Sequence, residues 1–334
     1  MITLAIAGCA HIHTPNFVDR LAKRTDVRVK SIWDPDPARA AKHAEKLGAA
    51  VVANFEAVWS DPDVAAVIIC SETHRHADLV PPAARAGKHL FVEKPLGFAS
   101  ADAFEMAGVI EAAGVLFQTG YFMRSDPVNR FLKEHIARST FGKVTRARFA
   151  NCHSGALKGW FDTEWRWMAD PAIAGCGAFG DLGTHALDIA LWLLGDVDSA
   201  TAVIGSAIDR YAGCDEFGEG LLAFRGGAVA ALAASWVDTG NPVSLQLAGT
   251  EGWALVRDGK LFIQTSNLPG ADGKEPWTDL PTALPHAFEL FLDAVVGKSG
   301  VELVGAREAA VRSAVMEALY AGAARRAWVA PATA

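Results

Sequence analysis

In the first 120 residues, short apolar runs alternate with helix-forming segments, and no other feature of the chain restricts its fold as tightly. Residues 3–7, 27–33, 51–52, 64–70, 90–92 and 115–119 read as strands. Most are continuously apolar rather than alternating, as expected of strands buried on both faces. Thr14-Pro15 and Asp36-Pro37 pair a capping residue with proline at a helix start, and Ser100 is a third expected cap. Gly48 and Gly87 are the expected stops. Repeated β–α units of this kind imply an α/β fold, a doubly wound parallel sheet with helices on both faces.

From about residue 121 the pattern changes. A helix to about Ala137 is followed by strand candidates at 142–153, 200–204, 221–224, 228–236, 243–247, 253–256 and 261–264, with turn signals at Arg225-Gly226-Gly227 and Asp258-Gly259. Strands without helices between them point to an open, mainly antiparallel sheet in an α+β domain. One long helix, 177–194, interrupts the series, and a final helix at 306–327 is expected to pack on the first domain or on the sheet. A chain of 334 residues suggests two domains, a dinucleotide-binding domain at 1–121 and a substrate-binding and oligomerisation domain at 122–334.

Composition removes several classes of partner. The net charge is -7 with no basic tract, which argues against nucleic acid and anionic membranes. No uncharged apolar run reaches membrane-spanning length. The N-terminus reads as a buried strand, not a signal peptide. Five cysteines, an odd number with no CxxC pair, fit a reduced cytoplasmic protein.

The turn after the first strand, Gly8-Cys9-Ala10-His11-Ile12-His13, keeps only the first glycine of a dinucleotide fingerprint. Its setting is stronger than its letters, because a strand precedes it, a helix follows, and Asp34 ends the second strand. A carboxylate there accepts hydrogen bonds from ribose hydroxyls and repels a 2′-phosphate, favouring NAD over NADP. The competing reading makes Asp34 part of the Asp34-Pro35-Asp36-Pro37 turn. The pairs His11/His13 and His74/His76 follow strands that would be neighbours at the switch point. They are candidates for metal binding, proton handling or cofactor contacts; with no carboxylate or thiolate at ligand spacing, no metal site is assigned. In the second half, Asp181 and His185 lie i, i+4 on one helix face, a pairing suited to proton transfer. Trp160, Phe161, Trp165 and Trp167 offer an aromatic floor for a sugar ring or, equally, packing for a core or interface.

The segment Ala86-Gly87-Lys88-His89-Leu90-Phe91-Val92-Glu93-Lys94-Pro95, with His76 before it, resembles the strand-and-EKP motif of the glucose–fructose oxidoreductase / inositol dehydrogenase / rhizopine catabolism family (Gfo/Idh/MocA). Ser71-Glu72-Thr73 departs from that family's Thr-Pro-Asn. Gly175-Cys176-Gly177 through Asp188 is similar to its GGGxxxDxGxHxxD, with Cys176 for the middle glycine. Tyr121 and Arg124 resemble GYxxR, and Trp165-Arg166 resembles a W-R before the long helix. The resemblance covers nearly the whole chain. It implies a nicotinamide-dependent oxidoreductase with Lys94, Asp181 and His185 as catalytic residues and a cis Lys94–Pro95 bond. It also implies cofactor contacts from Gly8, Ala10, His11, Ile12, Asp34, Ser71, His76, Glu93 and Lys94. Substrate contacts would come from Lys94, Tyr121, Arg124, Trp165, Arg166, Asp181 and His185.

The expected activity is hydride transfer between nicotinamide and a secondary hydroxyl or ketone of a sugar, inositol or related polyol. His185 is the expected base, oriented by Asp181, with Lys94 stabilising alkoxide. Two alternatives are an NAD-retaining enzyme that cleaves or eliminates glycosides through transient oxidation and a non-catalytic cofactor-binding regulator. A homodimer or homotetramer is expected from the resemblance.

Overall fold

The apolar runs of the first 120 residues form β1 (Ile2–Ala7), β2 (Val27–Trp33), β3 (Ala50–Val51), β4 (Ala66–Ile69), β5 (His89–Val92) and β6 (Phe117–Thr119) in the computed structural model, which describes residues 1–333. Between them run α1 (Thr14–Leu21), α2 (Pro37–Leu47), α3 (Glu56–Trp59), α4 (His76–Arg85) and α5 (Ser100–Ala113). The six strands pair in parallel in the order β3-β2-β1-β4-β5-β6. Alternate residues explain the continuous apolar runs: Leu4 and Ile6 pack with Phe17 and Leu21 of α1 on one face, while Ala5 and Ala7 join the core on the other.

Helix starts differ in detail from expectation. Asp36 caps α2, accepting the Ala38 N–H at 2.9 Å. Thr14 does not cap α1; His13 holds that position without a side-chain bond, and the Thr14 hydroxyl is buried without a partner. At α5 the carboxylate of Asp102, not the Ser100 hydroxyl, accepts the Phe98 and Ala99 N–H groups. A carboxylate one turn into a helix can reach back to these otherwise unpaired donors.

The second half contains α6 (Pro127–Ala137), β7 (Val144–Cys152), α7 (Pro171–Ala174), α8 (Ala178–Leu194), β8 (Val197–Gly205), β9 (Phe217–Phe224), β10 (Val229–Ser235), β11 (Val243–Gly249), β12 (Gly252–Arg257), β13 (Lys260–Thr265), α9 (Ala287–Val295) and α10 (Ala306–Arg325). Its seven strands run β13-β12-β11-β7-β10-β9-β8. The sheet is mainly antiparallel, as expected, with one parallel pair, β7 and β10. The insertion of α8, β8 and β9 between them returns the chain in the same direction, as a long crossover can and a hairpin cannot. The sheet is therefore mixed, though mostly antiparallel.

Two late helices tie the halves together. Phe288, Phe291 and Leu292 of α9 enter the core with Phe17 and Phe91. Helix α10 packs on both expected surfaces: Ala306, Ala309 and Ala310 against Met106 and Ile110 of α5, and Val315 and Leu319 against the larger sheet's core.

Candidate active site

Strand β5 ends at Val92, and Glu93-Lys94-Pro95 makes a corner beyond its carboxyl end, next to the β1–α1 turn. The Lys94–Pro95 bond is cis, as the resemblance implied. His76, first residue of α4, fixes the corner from behind: its Nδ1 lies 3.1 Å from the carbonyls of both Pro95 and Leu96. His76 Nδ1 therefore meets the lysine loop, while its Nε2 is buried without a partner.

Lys94 is 4% exposed and reaches across to α8, where its Nζ donates to Asp181 Oδ1 at 2.6 Å and to the Asp181 carbonyl at 3.1 Å. Burial works against the Lys94 charge, but Asp181 and Glu93 outweigh it and raise its pKa. Burial likewise opposes charge on Asp181, and Lys94 outweighs it, lowering the carboxyl to about 2. The pair is thus held charged in a water-poor site. An ammonium has three N–H groups, and these two contacts leave one for a ligand.

Asp181 does not orient His185 as expected. Its second oxygen accepts Trp236 Nε1 at 3.1 Å instead. His185 shares the helix face but keeps a buried Nδ1 without a partner, set against Phe122 at 5.1 Å between ring centroids. Burial and the Lys94 charge lower its pKa well below the usual value, so its imidazole is neutral at physiological pH.

The cofactor side is built from the β1–α1 turn. Gly8 has φ +88°, and a Cβ there would stand 2.5 Å from the Ser71 Cβ, so only glycine lets β1 and the end of β4 approach. Ser71 itself donates to the neighbouring Glu72 carbonyl at 3.1 Å. Among the described residues, the N–H groups of Ala10 and Ile12 in this turn have no acceptor, as expected of a cradle for phosphate oxygens. At the end of β2, Asp34 Oδ2 accepts the Cys9 N–H at 2.6 Å and Oδ1 accepts Arg39 Nε at 2.9 Å. These features fit a dinucleotide: a glycine turn, free amides, and a carboxylate at the ribose position.

Of the four paired histidines, the structure brings two together. His13 Nδ1 lies 3.0 Å from Glu93 Oε1, and His11 Nδ1 accepts the His13 N–H at 3.2 Å. Burial lowers the His11 pKa to about 3. The three side chains place ligand atoms within 4.8 Å of one another, but these hydrogen bonds already use them. His74 is exposed and apart.

Three residues expected at the substrate are engaged elsewhere. Arg124 makes a two-pronged pair with Asp188, at 2.9 and 2.6 Å, and reaches Glu308 at 3.1 Å. Arg166 donates to the Ala169 carbonyl at 2.7 Å and lies over Tyr211. Tyr121 is buried with its hydroxyl 3.0 Å from Thr184. Each of these contacts positions α8 or the segment before it. Trp165 packs against the larger core, whereas Trp167, two residues on, lines the void at Lys94 and donates to the Ala10 carbonyl at 3.0 Å. Of the residues read from sequence as an aromatic floor, Trp167 is one that lines the void at Lys94; sequence reasoning did not single out Trp236. The only signal for the second was a tryptophan just past the end of a strand.

The void against Lys94, His11, Trp167 and Asp181 is small, about 10 Å³. A cleft of about 510 Å³, lined by Phe122, Phe149, Asn151, Ala186 and His286 among others, lies beyond the Phe122 ring that touches His185.

Residues 2–121 match the oxidoreductase family with an NAD-binding Rossmann fold, and residues 129–255 match the GFO/IDH/MocA C-terminal domain. Levoglucosan dehydrogenase of Pseudarthrobacter phenanthrenivorans is 27% identical over 248 residues, which cover 67% of this chain and 63% of that protein. A 1,5-anhydro-D-fructose reductase of Ensifer adhaerens is 28% identical over 282 residues, 81% of this chain and 80% of that one. Myo-inositol 2-dehydrogenase of Thermotoga maritima is 29% identical over 217 residues, 62% of this chain and 58% of that protein. The chain thus spans about three-fifths of the length of the first and third of these relatives. The structure of levoglucosan dehydrogenase with NADH and levoglucosan shares the fold, with a TM-score of 0.81 at 20% identity over 99% of this chain and 100% of that one. An NAD binding oxidoreductase from Klebsiella pneumoniae gives 0.79 at 25% identity over the full length of both. With both halves matched and a dinucleotide site built at the switch point, this chain belongs to the GFO/IDH/MocA family of NAD-binding oxidoreductases.

Proposed function

We propose that this protein is an NAD-dependent dehydrogenase or reductase of an uncharged sugar, inositol or related polyol. The observation that carries the reading is the buried Lys94–Asp181 pair at 2.6 Å, made between the carboxyl end of β5 and the first turn of α8. When bound, NAD supplies the hydride acceptor or, reduced, the donor. The remaining N–H of Lys94 binds the substrate hydroxyl and stabilises charge developing on its oxygen as the hydride leaves carbon. The neutral His185 imidazole takes the hydroxyl proton. Asp181 keeps Lys94 charged and aimed, rather than orienting His185.

The placement of the basic residues supports an uncharged substrate. Arg124 and Arg166 are held by Asp188 and Ala169, and Arg148 lies with Glu219 on the surface. The named relatives are dehydrogenases and reductases, which leaves the glycoside-cleaving alternative without support.

Val203, Leu221 and Val229 share the uncovered face of the larger sheet at 77%, 44% and 45% exposure, which supports assembly of copies through that face. Five free cysteines, three of them buried, support a reducing compartment such as the cytoplasm. No helix among the described residues is long and apolar enough to cross a membrane.

The test is a panel of aldoses, anhydrosugars and inositols with NAD, followed by absorbance of the reduced cofactor. One NADH formed per substrate oxidised is the expected result. Activity confined to phosphorylated sugars, or product formed without NADH, would overturn the reading.

A further inference from the structure

Asp34 is assigned to the cofactor ribose, yet its side chain is fully covered. The cover is Arg39, from the first turn of α2, which places Nε and Nη2 at 2.9 and 2.8 Å from Asp34 Oδ1. Arg39 is held from the other side as well. Its Nη2 donates to Glu72 Oε1 at 3.0 Å, and Glu72 sits just past the end of β4. The other Glu72 oxygen is buried without a hydrogen bond, and the nearest cation to it is Arg75 at 3.3 Å. Glu72 lies where this chain departs from the family's Thr-Pro-Asn, and its bond to Arg39 gives that departure a purpose.

We propose that Glu72 is a positioning residue for cofactor choice: it binds Arg39 and so denies that guanidinium to a 2′-phosphate, enforcing NAD over NADP. Asp34 alone does not suffice, because an arginine five residues later lies within reach of any group at the ribose 2′ position. A free guanidinium there would form two charge-assisted bonds with a phosphate. With Glu72 in place, Arg39 has a carboxylate on each side, and a 2′-phosphate would have to displace one of them. The 2′-hydroxyl of NAD needs only that Arg39 swing from Asp34 toward Glu72, where a second buried acceptor oxygen waits. Asp34 Oδ1, which keeps the Asp36 N–H at 2.8 Å, then offers the ribose the capacity that Arg39 had occupied.

Cofactor choice can be tested without any sugar. NADH and NADPH are titrated separately into the full-length protein, with cofactor fluorescence as the readout. In Glu72→Gln, affinity for NADPH relative to NADH should rise about tenfold or more, the scale of one gained charged hydrogen bond. The double variant Glu72→Gln/Arg39→Ala should lose that gain, since Glu72 acts through Arg39. An unchanged NADPH-to-NADH ratio in Glu72→Gln overturns the proposal. So does a gain that persists without Arg39, which would mean plain repulsion by the Glu72 charge. Should Glu72→Gln fold poorly, Glu72→Asp withdraws the carboxylate by one methylene and should move the ratio the same way by less; an unmoved ratio there overturns the proposal equally. The NADH titration doubles as the control, because a protein that binds neither cofactor fails the dehydrogenase reading instead.

Discussion

The chemistry rests on a few side chains whose charge states are set by burial and by one another. Lys94→Ala removes the group proposed to steady developing alkoxide and should lower turnover by orders of magnitude while NADH still binds, as checked by steady-state rates alongside a cofactor titration; near-normal turnover would remove Lys94 from the mechanism. Acid should act on stability through the buried histidines. The His11 pKa falls to about 3 in the folded chain, against roughly 6.5 for an unperturbed imidazole. A group lowered on folding contributes stability above its unfolded value and loses it as pH falls, so stability should drop progressively from about pH 6.5 toward pH 3. His11→Gln should flatten that slope in urea titrations taken between about pH 7 and pH 5. The Lys94–Asp181 pair works in a lower window: with Asp181 at about 2, its contribution persists until pH falls below the ordinary aspartate range.

At the scale of elements, the site depends on two close approaches. The first brings β1 against the end of β4 at Gly8. Gly8→Ala meets both a positive φ and the Ser71 Cβ at 2.5 Å, and should cost about 1–3 kcal/mol of stability and weaken NADH binding as the turn shifts. The second approach fixes α8. Asp188 is 1% exposed and is bound by Arg124 and by Arg312 of α10, the latter at 2.9 Å. Asp188→Ala leaves two arginines facing an apolar helix and should destabilise by about 3–5 kcal/mol, the usual cost of breaking a buried pair on one side. Because α8 carries both Asp181 and His185, this variant should lose turnover before it loses cofactor binding.

For the molecule as a whole, the two sheets are joined by α9 and α10 as well as by the Lys94–Asp181 contact. Ligand binding at the first sheet should therefore stabilise the whole chain. NADH at about a hundredfold excess over its dissociation constant contributes about 2.7 kcal/mol if only the folded form binds. Thermal unfolding should shift upward as one transition. Two transitions, with only the first moving, would show that the halves unfold independently.

What the sequence determined was local. The β–α alternation, the Lys94-Pro95 corner and the shared face of Asp181 and His185 all depend on residues near one another in the chain, where propensity, capping and helical spacing act directly. The parallel β7–β10 pair was hidden because its direction is set by everything that folds between Cys152 and Val229, and a crossover that long can return the chain either way. The partners of the functional groups were hidden for a related reason. That Asp181 meets Lys94 and Trp236 rather than His185, that Arg124 serves Asp188, and that Arg39 is held by Glu72 are choices among many oppositely charged or polar candidates. Only packing excludes the others. Sequence supplied the chemical groups and the elements that carry them; the tertiary structure decided which group faces which, because that depends on distances between elements that no local rule encodes.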